Sequence, residues 1–186
     1  MVLEFLADGF EEIEALTPVD VLRRAGVEIH TVAVGKLLSK KVAGSHGIEV
    51  EADITMGEAK KLWASGNVEM IILPGGMPGA KNLDENEDVD AIVRAAAESG
   101  KIIAAICAAP MIPGKRGLLK GKRAVCYPGF EKDLEGAVLT GGRVEVDGTF
   151  VTGCGMGAAL EFSLALTRLL KGDEAADKLF AAVLAK

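Results

Sequence analysis

The chain has 186 residues, 49% of them apolar and 26% charged, and a formal net charge of −6. That length suffices for one domain with a sizeable core, here taken as residues 1–186. Mixed signs along an acidic chain argue against a nucleic-acid partner, and no run approaches the roughly 20 apolar residues of a membrane helix. Cys107, Cys126 and Cys154 are too few and too scattered for a secreted disulfide framework, and with no CxxC and only two histidines a structural zinc site is not expected. No targeting segment is visible, so a cytoplasmic, reducing location is expected.

Strand and helix signals alternate. Val2–Leu6 reads as a strand, and Asp8-x-x-Glu11 as a capping box for a helix to about Ala25, with Pro18 as a kink or restart and Thr17 as a second cap. Val27–Val34 is the next strand, and Val42–Glu51 a hairpin turning on Gly44-Ser45-His46-Gly47. Met56–Trp63 is a short helix, Val68–Leu73 a buried strand ending in Pro74-Gly75-Gly76-Met77-Pro78-Gly79, and Asp88–Ser99 a helix closed by Gly100. Lys101–Ile106 is a strand followed by a helix from about Ala108, and Arg123–Cys126 a further strand. Val144–Val151 is a hairpin on Asp147-Gly148, and Gly157–Leu170 and Glu174–Leu184 are closing helices. Apolar strands alternating with helices imply an α/β fold with a mostly parallel sheet covered on both faces, its site beyond the carboxyl ends of the strands. The loops Ala7–Glu12, Pro74–Ala80 and Cys107–Pro110 therefore converge.

Cys107 ends a strand just before a helix start, with Pro110 suited to the first turn. Free N–H groups and the positive helix end favour a thiolate there, in a cysteine version of a nucleophile elbow. A small buried core cysteine satisfies the same pattern. Gly75-Gly76 offers unhindered N–H groups for an oxyanion, or a plain turn. Glutamates in Glu11-Glu12-Ile13-Glu14 either favour the helix dipole or turn one carboxyl inward as acid and base. Spacing with Leu16 and Val19 puts Glu12 on the inward face.

The segments FLADGFEEIEALTPVDVLRRAG, LPGGMPGAKNL and AAICAAP, continued by GLLKGKRAVCYPGFEKDL and ALEFSLAL, closely resemble the DJ-one family of the ThiJ/PfpI superfamily, from about Val2 to Leu170. The resemblance implies a flavodoxin-like three-layer sandwich, a homodimer, a reactive Cys107 at a strained elbow and no metal or organic cofactor. It also implies that Glu12 is the protonated partner of the thiolate, with the N–H groups of Gly75, Gly76 and Ala108 as the oxyanion site. Ala108 stands where a peptidase-like branch has histidine, which disfavours a Cys-His dyad. Tyr127 stands where some members have histidine near the thiol, and is taken as a binding residue.

Cys154-Gly155-Met156-Gly157 replaces a more usual Arg-Gly-Pro-Gly, removing a positive group, and Pro113-Gly114 interrupts the helix after the elbow. Glu4 interrupts an apolar strand, where it must be paired, costly or protonated. His46 is an exposed loop histidine or, by resemblance, near a dimer interface, and Cys126 a buried strand cysteine or a resolving partner for Cys107. The implied function is a cofactor-free glyoxalase III or deglycase-type activity on methylglyoxal, related small aldehydes or their adducts. The alternative is an oxidative-stress sensor or protective protein acting through oxidation of Cys107.

Overall fold

A computed structural model describes residues 1–35 and 39–185. The chain begins with β1 (Val2–Leu6), α1 (Glu12–Arg24) and β2 (Ile29–Ala33), then a hairpin of β3 (Lys41–Ala43) and β4 (Glu49–Glu51), and β5 (Ile54–Thr55). There follow α2 (Met56–Ala64), β6 (Met70–Leu73), α3 (Gly79–Asp84), α4 (Glu87–Glu98), β7 (Ile102–Ile106) and α5 (Met111–Lys115). The remainder comprises β8 (Arg123–Ala124), β9 (Val138–Leu139), β10 (Val144–Asp147), β11 (Phe150–Gly153), α6 (Ala159–Lys171) and α7 (Asp173–Ala182).

Seven strands form the central sheet in the order β10-β11-β7-β6-β1-β2-β5, all parallel except β10 against β11. This is the expected flavodoxin-like sandwich. One face packs on α4 and α5 through Val89, Ile92, Val93, Ala96 and Ile112. The other packs on α1 and α6 through Val19, Leu22, Phe162 and Leu166. Each such side chain stabilises by about 1.5–3 kcal/mol at most, so the sheet is held from both sides. The chain winds one way from β1 to β2 and β5, and the other way from β6 to β7 and β11. The crevice between the carboxyl ends of β1 and β6 is thus the switch point, where ligands bind in open sheets. Among the described residues no helix is long and apolar enough to cross a membrane.

Several local expectations are revised. The cap of α1 is Glu11, whose Oε2 accepts from the Glu14 N–H at 2.7 Å, while Asp8 instead accepts from the Ala43 N–H at 3.1 Å. Pro18 lies inside an unbroken α1, so Thr17 starts no second helix. The helix expected from Ala108 begins only at Met111 and runs five residues, because Pro113-Gly114 sits in it. Arg116 holds that short helix in place. Its guanidinium meets Asp84 at 2.7 Å and Asp90 at 2.6 Å and donates to the Ile112 and Asp84 carbonyls. The strand expected at Arg123–Cys126 shrinks to Arg123–Ala124 and pairs with β9 outside the main sheet.

Candidate active site

Parallel pairing of β7 with β11 brings Cys107 to the end of the sheet, where its N–H donates to the Gly153 carbonyl at 2.8 Å. Its φ of 64° places a non-glycine residue in the left-handed region. That conformation costs energy, which the surrounding ladder sustains, and is common where a side chain must be aimed. The turned thiol leans on the sheet face of α1 and α6 and is half-buried. The N–H groups of Ala108 and Gly76 donate to the sulfur.

The carboxyl that meets the thiol is Glu14, not Glu12. Glu14 is 1% exposed, is hydrogen-bonded to Cys107, and accepts from the Gly75 N–H at 3.1 Å and from the Met156 N–H. The inward face of α1 carries Glu14, Ala15, Pro18, Val19 and Leu22, whereas Leu16 is 38% exposed. Leu16, used to orient Glu12, is therefore an outward apolar residue. Glu12 points to the hairpin, where it contacts His46 at 2.9 Å.

The expected oxyanion donors divide. Gly76 and Ala108 do face the sulfur, but the Gly75 N–H is engaged by Glu14. The approach is close enough that a Cβ on Gly75 would lie 2.6 Å from that of Cys107 and would also strike Glu14. Tyr127 donates its N–H to the Cys107 carbonyl at 2.8 Å, and its half-exposed ring lies against Gly155.

Burial pushes the Glu14 carboxyl up to about 7, more than its hydrogen bonds pull it down. Burial and then the Glu14 charge push the Cys107 thiol up to about 12, against the Ala108 and Gly76 N–H groups. The expectation of a helix-lowered thiol is thereby reversed, since the helix is short and starts at Met111 while a carboxyl stands beside the sulfur. The two groups titrate as a coupled pair. A thiolate exists here most readily as the tautomer in which Glu14 carries the proton.

Beside the site lies a cavity of about 460 Å³ lined by Tyr127, Glu131, Arg143, Cys154 and Met156. No positive side chain stands at position 154, but Arg143 lines this cavity. Arg143 comes from the neighbouring chain segment, its carbonyl accepts from the Cys154 N–H at 2.9 Å, and its guanidinium donates to the Gly157 carbonyl. Glu161 holds it at 2.6 Å. Cys126 packs into the core on the opposite sheet face from the one Cys107 leans on. Among the described residues, Glu11, Glu12 and His46 group closely enough to hold a metal ion. Their oxygens and ring nitrogen are, however, engaged in the α1 cap and the hairpin.

The family model described as the DJ-1/PfpI family matches residues 1–169. Protein DJ-1 homolog B of Arabidopsis thaliana is 37% identical over 173 residues, 92% of this chain and 38% of that protein, so the chain spans about two fifths of that relative. A Pyrococcus abyssi protein named a deglycase is 30% identical over 172 residues, 91% of this chain and 99% of the other. The structure of oxidized Toxoplasma gondii DJ-1 superposes with a TM-score of 0.90 at 36% identity, covering 98% of this chain and 97% of that one. A chain matched over nearly its whole length by the family model, and sharing both fold and sequence with these relatives, belongs to the DJ-1/PfpI family.

Proposed function

We propose that the protein is a cofactor-free enzyme of the glyoxalase III or deglycase type, acting on methylglyoxal or related small aldehydes and their adducts. The observation that carries this reading is the buried hydrogen bond between Cys107 and Glu14 at a left-handed elbow. The name of the Pyrococcus abyssi relative supports a deglycase-type reading. The Cys107 sulfur adds to the aldehyde carbon, and the oxygen takes up a proton to give a hemithioacetal. Glu14, as carboxylate, removes the proton from that carbon and returns it to the adjacent carbonyl carbon, while the hydroxyl proton passes to the oxygen of that carbonyl, which leaves a lactoyl thioester. Water then splits the thioester, releasing lactate and the thiol, so methylglyoxal plus water balances lactate. In this reading the N–H groups of Gly76 and Ala108 hold charge around the sulfur, and the Tyr127 side chain, which lines the adjacent cavity, contacts the substrate.

The test mixes the protein with methylglyoxal, without glutathione, and follows lactate. Wild type is expected to form it, while Cys107→Ser and Glu14→Gln are not. No lactate from folded wild type would overturn the enzyme reading. A second reading is favoured by the same hydrogen bond: Glu14 can hold an oxidised Cys107 at the sulfinate, making the protein an oxidative-stress sensor. Peroxide titration followed by mass spectrometry of Cys107 distinguishes it.

We also propose a homodimer. Ile13 (49% exposed), Leu16 and Ile48 (54%) border a groove of about 620 Å³ with Leu160 and Val183. An apolar surface of this kind is suited to association. Ile13→Lys is expected to yield monomers in sedimentation equilibrium.

A further inference from the structure

Glu12 is withdrawn from the thiol by the hairpin. It is 5% exposed. Its Oε1 accepts from the N–H groups of His46 (2.8 Å) and Ile48 (3.5 Å), and its Oε2 meets His46 Nδ1 (2.9 Å) and the Ser45 hydroxyl (3.3 Å). Burial pushes its pKa up, but the His46 and Ile48 hydrogen bonds outweigh this and bring it down to about 2. Gly44 is required at the turn, because a Cβ there would run into the Glu12 carboxyl.

The hairpin is bound to the loop before α1 as well. The Gly9 N–H donates to the Ala43 carbonyl (2.7 Å) and the Ser45 N–H to the Phe10 carbonyl (2.8 Å). On its inner side the same loop is bound by Glu11 N–H to Gly75 carbonyl (3.0 Å) and Gly79 N–H to Gly9 carbonyl (3.1 Å). The loop is thus clamped between hairpin and site. It ends at Glu11, whose side chain caps the N–H of Glu14.

We propose that Glu12 is a positioning residue of the thiol site: with His46 it latches the β3–β4 hairpin onto the loop that orients Glu14, and the latch loosens when His46 loses its proton. The groups that face His46 are Glu12 and Glu11 at the start of α1. Asp8, in the preceding loop, is bonded to the Ala43 N–H. On the hairpin itself Lys41 pairs with Glu49 at 2.8 Å, and Glu51 stands beside them. The hydrogen bond and then the charge of Glu12 raise the pKa of His46. The latch is therefore complete below the ordinary histidine value and loosens as pH rises through the raised one, when only the backbone N–H bonds to Glu12 keep their strength.

This inference builds on Cys107 and Glu14 as the working pair, but its test needs no turnover, so failure of the latch and failure of the enzyme reading are separate results. Amide exchange over residues 41–51, corrected for intrinsic rates, and the pH profile of Cys107 alkylation by iodoacetamide are measured together. In wild type, protection of the His46 and Ile48 amides is expected to fall as pH rises above the ordinary histidine value. Glu12→Gln, which keeps a carbonyl acceptor without the charge, should lower that protection about tenfold, as for losing one charge-assisted hydrogen bond, and shift the alkylation profile. His46→Ala, at an exposed position that leaves the core untouched, should abolish the pH dependence of protection and shift the same profile. Unchanged hairpin protection in His46→Ala would overturn the latch. A loosened hairpin with an unmoved Cys107 profile would overturn the positioning role.

Discussion

Replacing Glu4 with leucine should stabilise the protein, and increasingly so as pH rises. Glu4 is 0% exposed in the middle of β1, flanked across the sheet by Thr31 and Ile72. Neither carboxyl oxygen has a hydrogen-bond partner among the described residues. Burial raises its pKa well above 4.5, and the Arg23 charge offsets this only partly. That guanidinium is itself bonded to Asp53 at 2.6 Å and half-exposed. Leucine has a similar volume and no polar atoms, so the change removes a buried unsatisfied group worth about 1–3 kcal/mol.

The ionisation cost adds to this. The folded state keeps the Glu4 proton above the pH at which the unfolded chain loses it, so wild-type stability falls as pH rises from about 4.5 towards the folded value. The slope is at most about 1.4 kcal/mol per pH unit. Glu4→Leu is expected to gain about 2–5 kcal/mol at pH 7, or roughly 5–15 °C in melting temperature for a chain of this length. Urea unfolding of both proteins at about pH 5 and about pH 7.5 measures the gap, and the difference cancels the parallel contribution of Glu14. A variant no more stable than wild type, or a gap that does not widen with pH, would refute the reasoning. Glu4→Gln separates the two parts, because it keeps an unsatisfied polar group but cannot titrate.

Glu14→Gln should lower methylglyoxal turnover at least about 100-fold and move the midpoint of Cys107 alkylation downward, because the carboxylate charge that raises the thiol is gone; steady-state kinetics and iodoacetamide rates check this. Removing Glu14, whose folded pKa of about 7 lies above its ordinary 4.5, should also flatten the loss of stability between those values in pH-dependent melts. Gly75→Ala should abolish lactate formation while the protein remains folded by circular dichroism, since its Cβ would meet both Cys107 and Glu14. Arg116→Ala should destabilise by about 1.5–3 kcal/mol in urea unfolding, because the mostly buried Asp84 loses its buried guanidinium partner and keeps only the half-exposed Lys115 at 2.7 Å.

The order of elements, the parallel sheet and the three converging loops were legible in the sequence, because near-continuous apolar strands and glycine-rich turns are local features. The elbow at Cys107 was legible for the same reason: one strand run, one thiol and one proline stand together. The choice between Glu12 and Glu14 was not. Both lie in one helical turn, and helical spacing alone makes Leu16 look like an inward residue although its side chain is exposed. Glu14 does share a helical face with Pro18 and Val21, but the sequence also offers the competing stripe through Leu16.

Only the packed fold decides which stripe faces the sheet, because that depends on where β6 and β7 deliver Gly75 and Cys107 against α1. The same holds for the thiol's protonation. The local sequence promised a helix terminus at Cys107, but the structure places a buried carboxyl beside the sulfur and starts a five-residue helix at Met111. Sequence alone determined the fold and the turn at Cys107, which are set by short-range pattern. Tertiary structure decided which carboxyl meets the thiol, the contact of Glu12 with His46, and the arginine beside Cys154, because each joins separate segments of the chain whose chemistry exists only once they meet.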